Sequence, residues 1–416
     1  MTTPNTISVL LDGHSDFPKV YGTGSWTQPG WLQYASWYQD DPTVYWTVNL
    51  DLSEGNWSAR AINAGTEGDG ILYLNDLDDA PGRDISLVTV GMSAVVNLKS
   101  TSIGTLSGWR GRHEVNVGDS HIRFLDLHGT ESVVSIGAGF VMSLTTDGQA
   151  TISVGEGGGV GSIFTGYDQW AVIHLADRSY VDYIQVAGTD SHVFLDGTAD
   201  VAALRLDGGH LTVTKGTVGS VLSHIGAPDI HVGAEGSIGS IRVHNGAATI
   251  WNEGYIDSAK LGDGDDTVRS SGGMTELNMG SGNNDLEVTG HIGSVTAYDG
   301  NDTVRSGDFQ IEQINLGGGD NLIITGDGWV GYIDTNHEDD RIIIGAGGAQ
   351  QIHAELGDNT IITSSGFVNT IGTFDGRDVI ATGSGGVGAV LSGSGDDIVT
   401  IGGYVGSVQT GVGRIS

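Results

Sequence analysis

Eight side chains able to ligate a cation recur at one place in successive repeats. They are Asp266, Asn284, Asp302, Asn321, Asp340, Asn359, Asp378 and Asp397, at steps of 18, 18 and then 19 residues. Two positions before each stands Gly, except at Glu338, and two positions after each stands Val, Leu or Ile. A carboxylate repeated once per turn of backbone stacks like charges about 5 Å apart, which is repulsive unless something neutralises them. The simplest neutraliser is Ca2+, a hard cation that takes about six to eight oxygens and tolerates loose geometry. Ordinary turn chemistry also favours Asp, Asn and Gly, but it predicts neither a fixed column nor a Gly at one offset.

The expected ligand set follows loop by loop. Gly262, Asp263, Gly264 and Asp265 lead to Asp266, and Gly280, Gly282 and Asn283 lead to Asn284. Asp299, Gly300 and Asn301 precede Asp302, while Gly317, Gly319 and Asp320 precede Asn321. Asp339 stands before Asp340, Gly357 and Asp358 before Asn359, Asp375 and Gly376 before Asp378, and Gly393, Gly395 and Asp396 before Asp397. Glycine lets loop carbonyls turn toward an ion. Several Ca2+ ions in a row along one edge are therefore expected. Asp alternates with Asn down most of the column, which lowers the charge of each site and points to sub-millimolar or millimolar affinity. Upstream, the equivalent places hold Gly209, Pro228 and Ala248, so the row of ions is expected to begin near Gly262.

What positions such a column is a repeat. Pairs of aliphatic residues three apart recur as Ile103/Leu106, Val160/Ile163, Val218/Val221, Ile292/Val295, Val330/Ile333 and Val405/Val408. The second member falls at 295, 314, 333, 352, 371 and 390, a constant step of 19. From Leu106 to Val408 there are 16 steps over 302 residues. Each unit holds two short β-branched runs separated by Gly, with no 3.6-residue periodicity. The fold expected is all-β: a parallel β-solenoid, of β-helix or β-roll type. It has about 17 coils of ~19 residues, each rising about 4.8 Å.

Composition bounds the rest. Seventy Gly with only 6 Pro rule out collagen, and 38% hydrophobic residues argue against disorder. Without Cys there is no disulfide framework, thiolate metal site or cysteine nucleophile. A net charge of −34 argues against nucleic acid. No apolar run is long enough for a transmembrane helix, and residues 1–11 do not read as a secretory signal. Five of the nine Trp (Trp26, Trp31, Trp37, Trp46 and Trp57) lie near the start, around an alternating stretch at 43–52. The organisation expected is a Trp/Tyr-rich N-terminal cap or docking domain over 1–66, a metal-free solenoid over 67–255 and a calcium-binding solenoid over 256–416. Between 261 and 416 there are 22 acids and 5 bases.

The loops at 262–266 and 393–397 resemble the Gly- and Asp-rich repeat of the RTX, or hemolysin-type, calcium-binding family, G-G-x-G-x-D-x-φ-x. The one-sided 19-residue form is similar to the calcium-bound solenoids of bacterial RTX adhesins. The resemblance implies a Gram-negative origin, type I secretion and folding on meeting external calcium, hence an extracellular or cell-surface place. Such proteins usually carry a secretion signal beyond the repeats. Here residues 409–416 end within a coil, with Arg414 and Ile415 where acids stood. That leaves a fragment or another export route. Ice binding needs regular ranks of outward Thr and Asn, whereas the corresponding places hold Asp263, Ser281, Asp299, Gly318 and Ser394.

No HExxH occurs, and Gly393-Ser394-Gly395 is a repeat loop rather than a nucleophile elbow. The function expected is structural or adhesive, as a surface-layer, matrix or adhesin component, through self-association or a cell-surface glycan or protein. The alternative is a polysaccharide lyase or epimerase on the same scaffold. Its candidate site residues are Tyr167, Asp168, Arg178, Tyr180 and Tyr183, in the longest coils. A cluster of basic and aromatic side chains in a groove would favour that alternative.

Overall fold

The structure, a computed structural model, describes residues 93–411 apart from Asp168, together with Val88 and the backbone of six upstream strands (Asn5–Leu10, Trp46–Asp51, Ser58–Ala59, Ile62–Ala64, Ile71–Asp76 and Asp84–Val90). It is a parallel β-solenoid of about 17 turns, ~19 residues per turn, with no helix among the described residues. The alternating stretch at 43–52 contains the strand Trp46–Asp51, which pairs in parallel with Asn5–Leu10 and with Ile71–Asp76. The aromatic side chains expected to form a cap, and residues 412–416, lie outside the described residues.

Two compact units divide the chain. One comprises Met1–His210 with Gly216–Val218, the other Leu211–Lys215 with Gly219–Ser416. Most coils contribute two strands, one to each face, while Asp229–Val243 runs unbroken through both faces of its coil and pairs with Thr249–Asn252 and Tyr255–Lys260. Pairing is in parallel, with the equivalent stretch one coil away. In the first unit Phe140–Thr146 lies between His121–Leu127 and Gly159–Thr165 on one face. On the other face Gln149–Val154 lies between Glu131–Ile136 and Ala171–Leu175. In the second unit Val330–Thr335 and Arg341–Ile344 show the same two-faced arrangement. Parallel pairing across a whole coil is what a 19-residue repeat must give, because identical positions then stack on one another.

The aliphatic pairs three apart depart from simple alternation. Ile122 pairs with Val141, the next residue is skipped, and pairing resumes with Phe124 and Ser143. That skip turns both members inward: Ile122 and Leu125, or Val330 and Ile333, are each almost fully buried. In several coils the skipped place is glycine. A Cβ at Gly331 would come within 2.3 Å of the Glu312 carbonyl oxygen, so the backbone is too close for a side chain. The second strand alternates strictly, as in Arg341–Ile344, where Ile342 and Ile344 face the core. Each buried Val, Leu or Ile contributes about 1.5–3 kcal/mol of transfer free energy, and every coil supplies several.

Candidate functional site: an Asp/Asn ladder inside the turns

The eight-residue column forms one continuous ladder in the second unit, and it is buried. Asp266, Asn284, Asp302, Asn321, Asp340, Asn359, Asp378 and Asp397 are all at most 2% exposed. Each accepts, through Oδ1, the backbone N–H of the equivalent residue one coil earlier. Asp266 takes the N–H of Ala248 at 2.6 Å, Asn284 that of Asp266 at 3.0 Å, and Asp302 that of Asn284 at 2.9 Å. Asn321, Asp340, Asn359, Asp378 and Asp397 continue at 2.9–3.1 Å. A buried backbone N–H without an acceptor is costly, so this corner of each coil needs one. In the first unit Ser191 meets the same need, its hydroxyl accepting the N–H of Ala171 at 2.9 Å.

A second ladder runs one residue before the first and is reversed in direction. Here the N–H of the later coil donates to the side chain of the earlier one. Asn283 donates to Asp265 at 2.7 Å, Asn301 to Asn283 at 2.8 Å and Asp320 to Asn301 at 2.8 Å. Asp339, Asp358 and Arg377 extend it to Asp320, Asp339 and Asp358. These side chains lie toward solvent. The residue two before each inner position has the left-handed backbone that the Gly pattern implied, from φ 111° at Gly319 to φ 152° at Gly264. Glu338, the one exception in sequence, adopts φ 75°, and its Oε2 accepts the N–H of Gly319 at 2.8 Å.

The two residue types of the inner column differ in their second branch. Asn284, Asn321 and Asn359 donate Nδ2–H to the carbonyl two residues back, at 3.0, 2.8 and 3.1 Å. At Asp266 and Asp302 the corresponding Oδ2 is buried and has no hydrogen-bond partner; at Asp340 and Asp378 it is buried too, and the carboxyl interacts with the hydroxyl of Thr335 or Thr373, which pulls it down. Because Oδ1 is engaged alike in both types, coil register aims this Oδ2 where Asn aims its Nδ2, at a carbonyl oxygen. Two oxygens facing each other need a proton or a cation between them. Burial accordingly pushes the carboxyls up, Asp266 to about 7 and Asp302 and Asp340 to about 6, against the N–H bonds that pull them down. Asp378 moves the same way for the same first cause.

A further set of donors was not apparent from the loop motif. The buried hydroxyls of Thr335 and Thr373 interact with the carboxyls of Asp340 and Asp378, and that of Ser392 has no hydrogen-bond partner. They stand five residues before Asp340, Asp378 and Asp397, where earlier coils have Leu261, Met279, Ala297 and Leu316. The change from aliphatic to hydroxyl at this offset, interrupted by Ala354, was visible in the sequence as a change along a column, at the first position of the motif, where the repeat has Gly. Carboxylate, hydroxyl and loop carbonyl oxygens together are the donor chemistry of a hard cation. Among the described residues no three Asp, Glu or His side chains converge on one point. An ion in these turns therefore depends on the backbone carbonyls that the glycines orient.

Among the described long-coil residues Tyr167 and Tyr183 come together, while Arg178 and Tyr180 are paired elsewhere. Tyr167 and Tyr183 both meet Gln185, at 3.4 Å. Arg178 pairs with Glu156, and Tyr180 donates to Asp182; Asp168 lies outside the described residues. A groove of about 740 Å3 instead occurs in the second unit, lined by Asp229, His231, Trp251, Glu253, Arg269 and Glu287. Its guanidinium is already held, by the Asp285 carboxylate, the Asp285 carbonyl at 3.0 Å and Glu287 at 3.3 Å.

The chain matches no protein-family model, no curated protein and no solved structure.

Proposed function

We propose that the protein is a non-catalytic, secreted scaffold, structural or adhesive, whose second unit is rigidified by Ca2+ along the inner Asp/Asn ladder. The observation that carries this reading is the pair of buried Oδ2 atoms without partners at Asp266 and Asp302, continued at Asp340 and Asp378 by carboxyls that meet a threonine hydroxyl. Their Oδ1 atoms serve the backbone, and Oδ2 remains for an ion together with carbonyls of the turn. The Thr335 and Thr373 hydroxyls extend the donor set at the last Asp coils. A bound cation would neutralise these carboxylates and tie successive coils together. The resemblance of the loops to RTX repeats supports the same ion, and with it an extracellular or cell-surface place in a Gram-negative bacterium.

The test is calorimetric titration of the metal-stripped chain with Ca2+ and with Mg2+, followed by circular dichroism and light scattering. Saturable calcium uptake with a gain in β signal is the expected result. Unchanged dichroism in EDTA together with no heat of binding would leave the ladder as a hydrogen-bonding device alone.

A further inference from the structure

One outward column of the second unit carries a large ring at every second coil. The column sits immediately before the inward aliphatic of the first strand and runs Tyr255, Gly273, His291, Gln310, Trp329, Gly348, Phe367, Gly386, Tyr404. Its continuity is set by strand register, with Tyr255 opposite Gly273. The N–H bonds of the following residues extend it, from Met274 to the His291 carbonyl, Ile311 to Trp329, Val330 to Gly348, Ala349 to Phe367, Val368 to Gly386 and Val387 to Tyr404. Tyr255, Trp329, Phe367 and Tyr404 are 47, 38, 47 and 68% exposed. In the first unit the same column reads Ser102, His121, Phe140, Gly159, Tyr180 and Asp200, with the His121 and Phe140 rings in adjacent coils, so the alternation belongs to the second unit.

Sterics account for part of the alternation. A ring lying along the sheet is wider than the spacing of about 4.8 Å between coils, so the neighbouring coil leaves room at Gly273 and Gly159, whereas Gly348 and Gly386 are set by φ of 79° and 80° and by the backbone of Phe367 and Tyr404. Tyr255 Cδ2 is 3.1 Å from where a Cβ of Gly273 would stand, and Phe140 Cδ2 is 2.9 Å from that of Gly159. The rings also lie down rather than stand up. Trp329 Cζ3 is 3.4 Å from the Cβ place of Gly331, the Tyr404 hydroxyl is 3.5 Å from that of Gly406, and the Tyr255 hydroxyl meets Thr275 Oγ1 at 2.9 Å. The rings of Tyr255, Trp329 and Tyr404 thus lie along the sheet, and rings recur along the row at about 10 Å, which is two coil spacings.

We propose that this row is a docking platform for a neutral, extended β-1,4-linked polysaccharide. In such a polymer successive sugars are flipped, so the same C–H face recurs once per disaccharide, a repeat close to two coils. Aromatic faces stack on that C–H surface and gain from its burial. Charge selects the class of polymer. None of the nine row positions carries Asp, Glu, Lys or Arg, while residues 261–416 hold 22 acids against 5 bases. An anionic polymer is repelled by those surroundings and finds no Lys or Arg in the row, whereas a neutral one meets rings, glycine and one Gln. The inference rests on the adhesive part of the proposed function and not on its calcium part.

The experiment uses the full chain in calcium buffer, depleted from solution by insoluble cellulose, chitin or α-linked starch, with Trp329→Ala/Phe367→Ala and Phe374→Ala chains alongside. Phe374 is an exposed ring outside the row (56%). Retention on cellulose or chitin but not on starch, reduced at least tenfold in the double variant and unchanged in Phe374→Ala, is the expected result. Whichever polymer retains the chain identifies the sugar. Unchanged dichroism of the double variant separates lost binding from lost folding. No retention on either β-linked polymer, or equal retention of the double variant, overturns the proposal. So does a rise in mass by light scattering that only the double variant abolishes without any polysaccharide retention, since the row then joins copies of this chain. Calcium uptake without retention overturns the platform and leaves the ion site standing; retention without uptake does the reverse.

Discussion

The backbone N–H of Asn359 donates to Oδ1 of Asp378 one coil later, at 2.9 Å, while Asn359 itself takes the N–H of Asp340 on its own Oδ1, at 3.0 Å. Asp and Asn are therefore interchangeable in the bond that ties coil to coil, and they differ only in the branch that points back into the turn. Asn brings its own proton to the carbonyl two residues back. Ionised Asp brings an oxygen that needs something else.

Replacing Asp302 by Asn should separate these two roles. The ladder bond is kept, and the new Nδ2–H supplies the missing donor to the Gly300 carbonyl. In EDTA the Asp302→Asn chain should unfold at a higher temperature than the parent, by the worth of about one buried hydrogen bond, ~1 kcal/mol. In calcium it should bind fewer ions by calorimetry. A variant that is less stable in EDTA would show that Oδ2 already has a partner.

The raised carboxyls fix the sign of a pH effect. In the unfolded chain Asp titrates near its ordinary 3.8, whereas burial lifts Asp266 to about 7 and Asp302 and Asp340 to about 6. The folded, metal-free state therefore binds protons more tightly than the unfolded state. Its stability is greatest below about pH 4 and falls as pH rises through about 6–7. Thermal unfolding in EDTA should shift upward between about pH 8 and pH 5, and the shift should shrink in an Asp266→Asn chain. Calcium needs the ionised form, so its affinity should change in the opposite direction. A parent chain and an Asp266→Asn chain with identical pH profiles would contradict the burial argument.

The solenoid was legible because a step of 19 residues leaves one solution for its β-runs: identical positions stacked in parallel. The column at 266–397 was legible for the same reason, and so was the left-handed turn two residues before it. Burial was not. The loop motif suggested side chains reaching an ion from the surface, but a corner N–H in every coil needs an acceptor, and this draws Oδ1 of Asp302 or Asn321 inside. Nor did the motif reveal Thr335 and Thr373, which fall on its first position, where the repeat has Gly and no side-chain donor is expected. The alternating rings at 255, 291, 329, 367 and 404 were present in the sequence too. They were obscured because the repeat was read one coil at a time, and this feature has a period of two.

The turn glycines have no room for a side chain. Gly300 sits at φ 137°, and a Cβ there would lie 2.0 Å from the carbonyl oxygen of Gly282 in the preceding coil. Gly300→Ala combines backbone strain with a backbone clash. It should cost more than about 2 kcal/mol and loosen the adjacent coils first. Glu338→Gly is the counterpart: it relieves a φ of 75° but removes the acceptor of the Gly319 N–H. Its net effect should be within about 1 kcal/mol. Equal destabilisation of the two chains in urea would contradict the steric account.

Core truncation tests whether stability is shared between neighbouring coils. Ile342 is fully buried and stacks in register between Ile323 and Ile361, which are also fully buried. Ile342→Ala removes three carbons where backbone spacing is fixed by the ladders above and below, so the walls cannot close on the space. A cost of about 2–5 kcal/mol is expected. In a stacked repeat the loss is felt by nearest neighbours rather than by the whole array. Amide exchange should therefore accelerate in Leu322–Ile324, Arg341–Ile344 and Thr360–Thr363, with Gln149–Val154 of the first unit unchanged. Uniform acceleration across both units would instead mean that the solenoid unfolds as a single cooperative block.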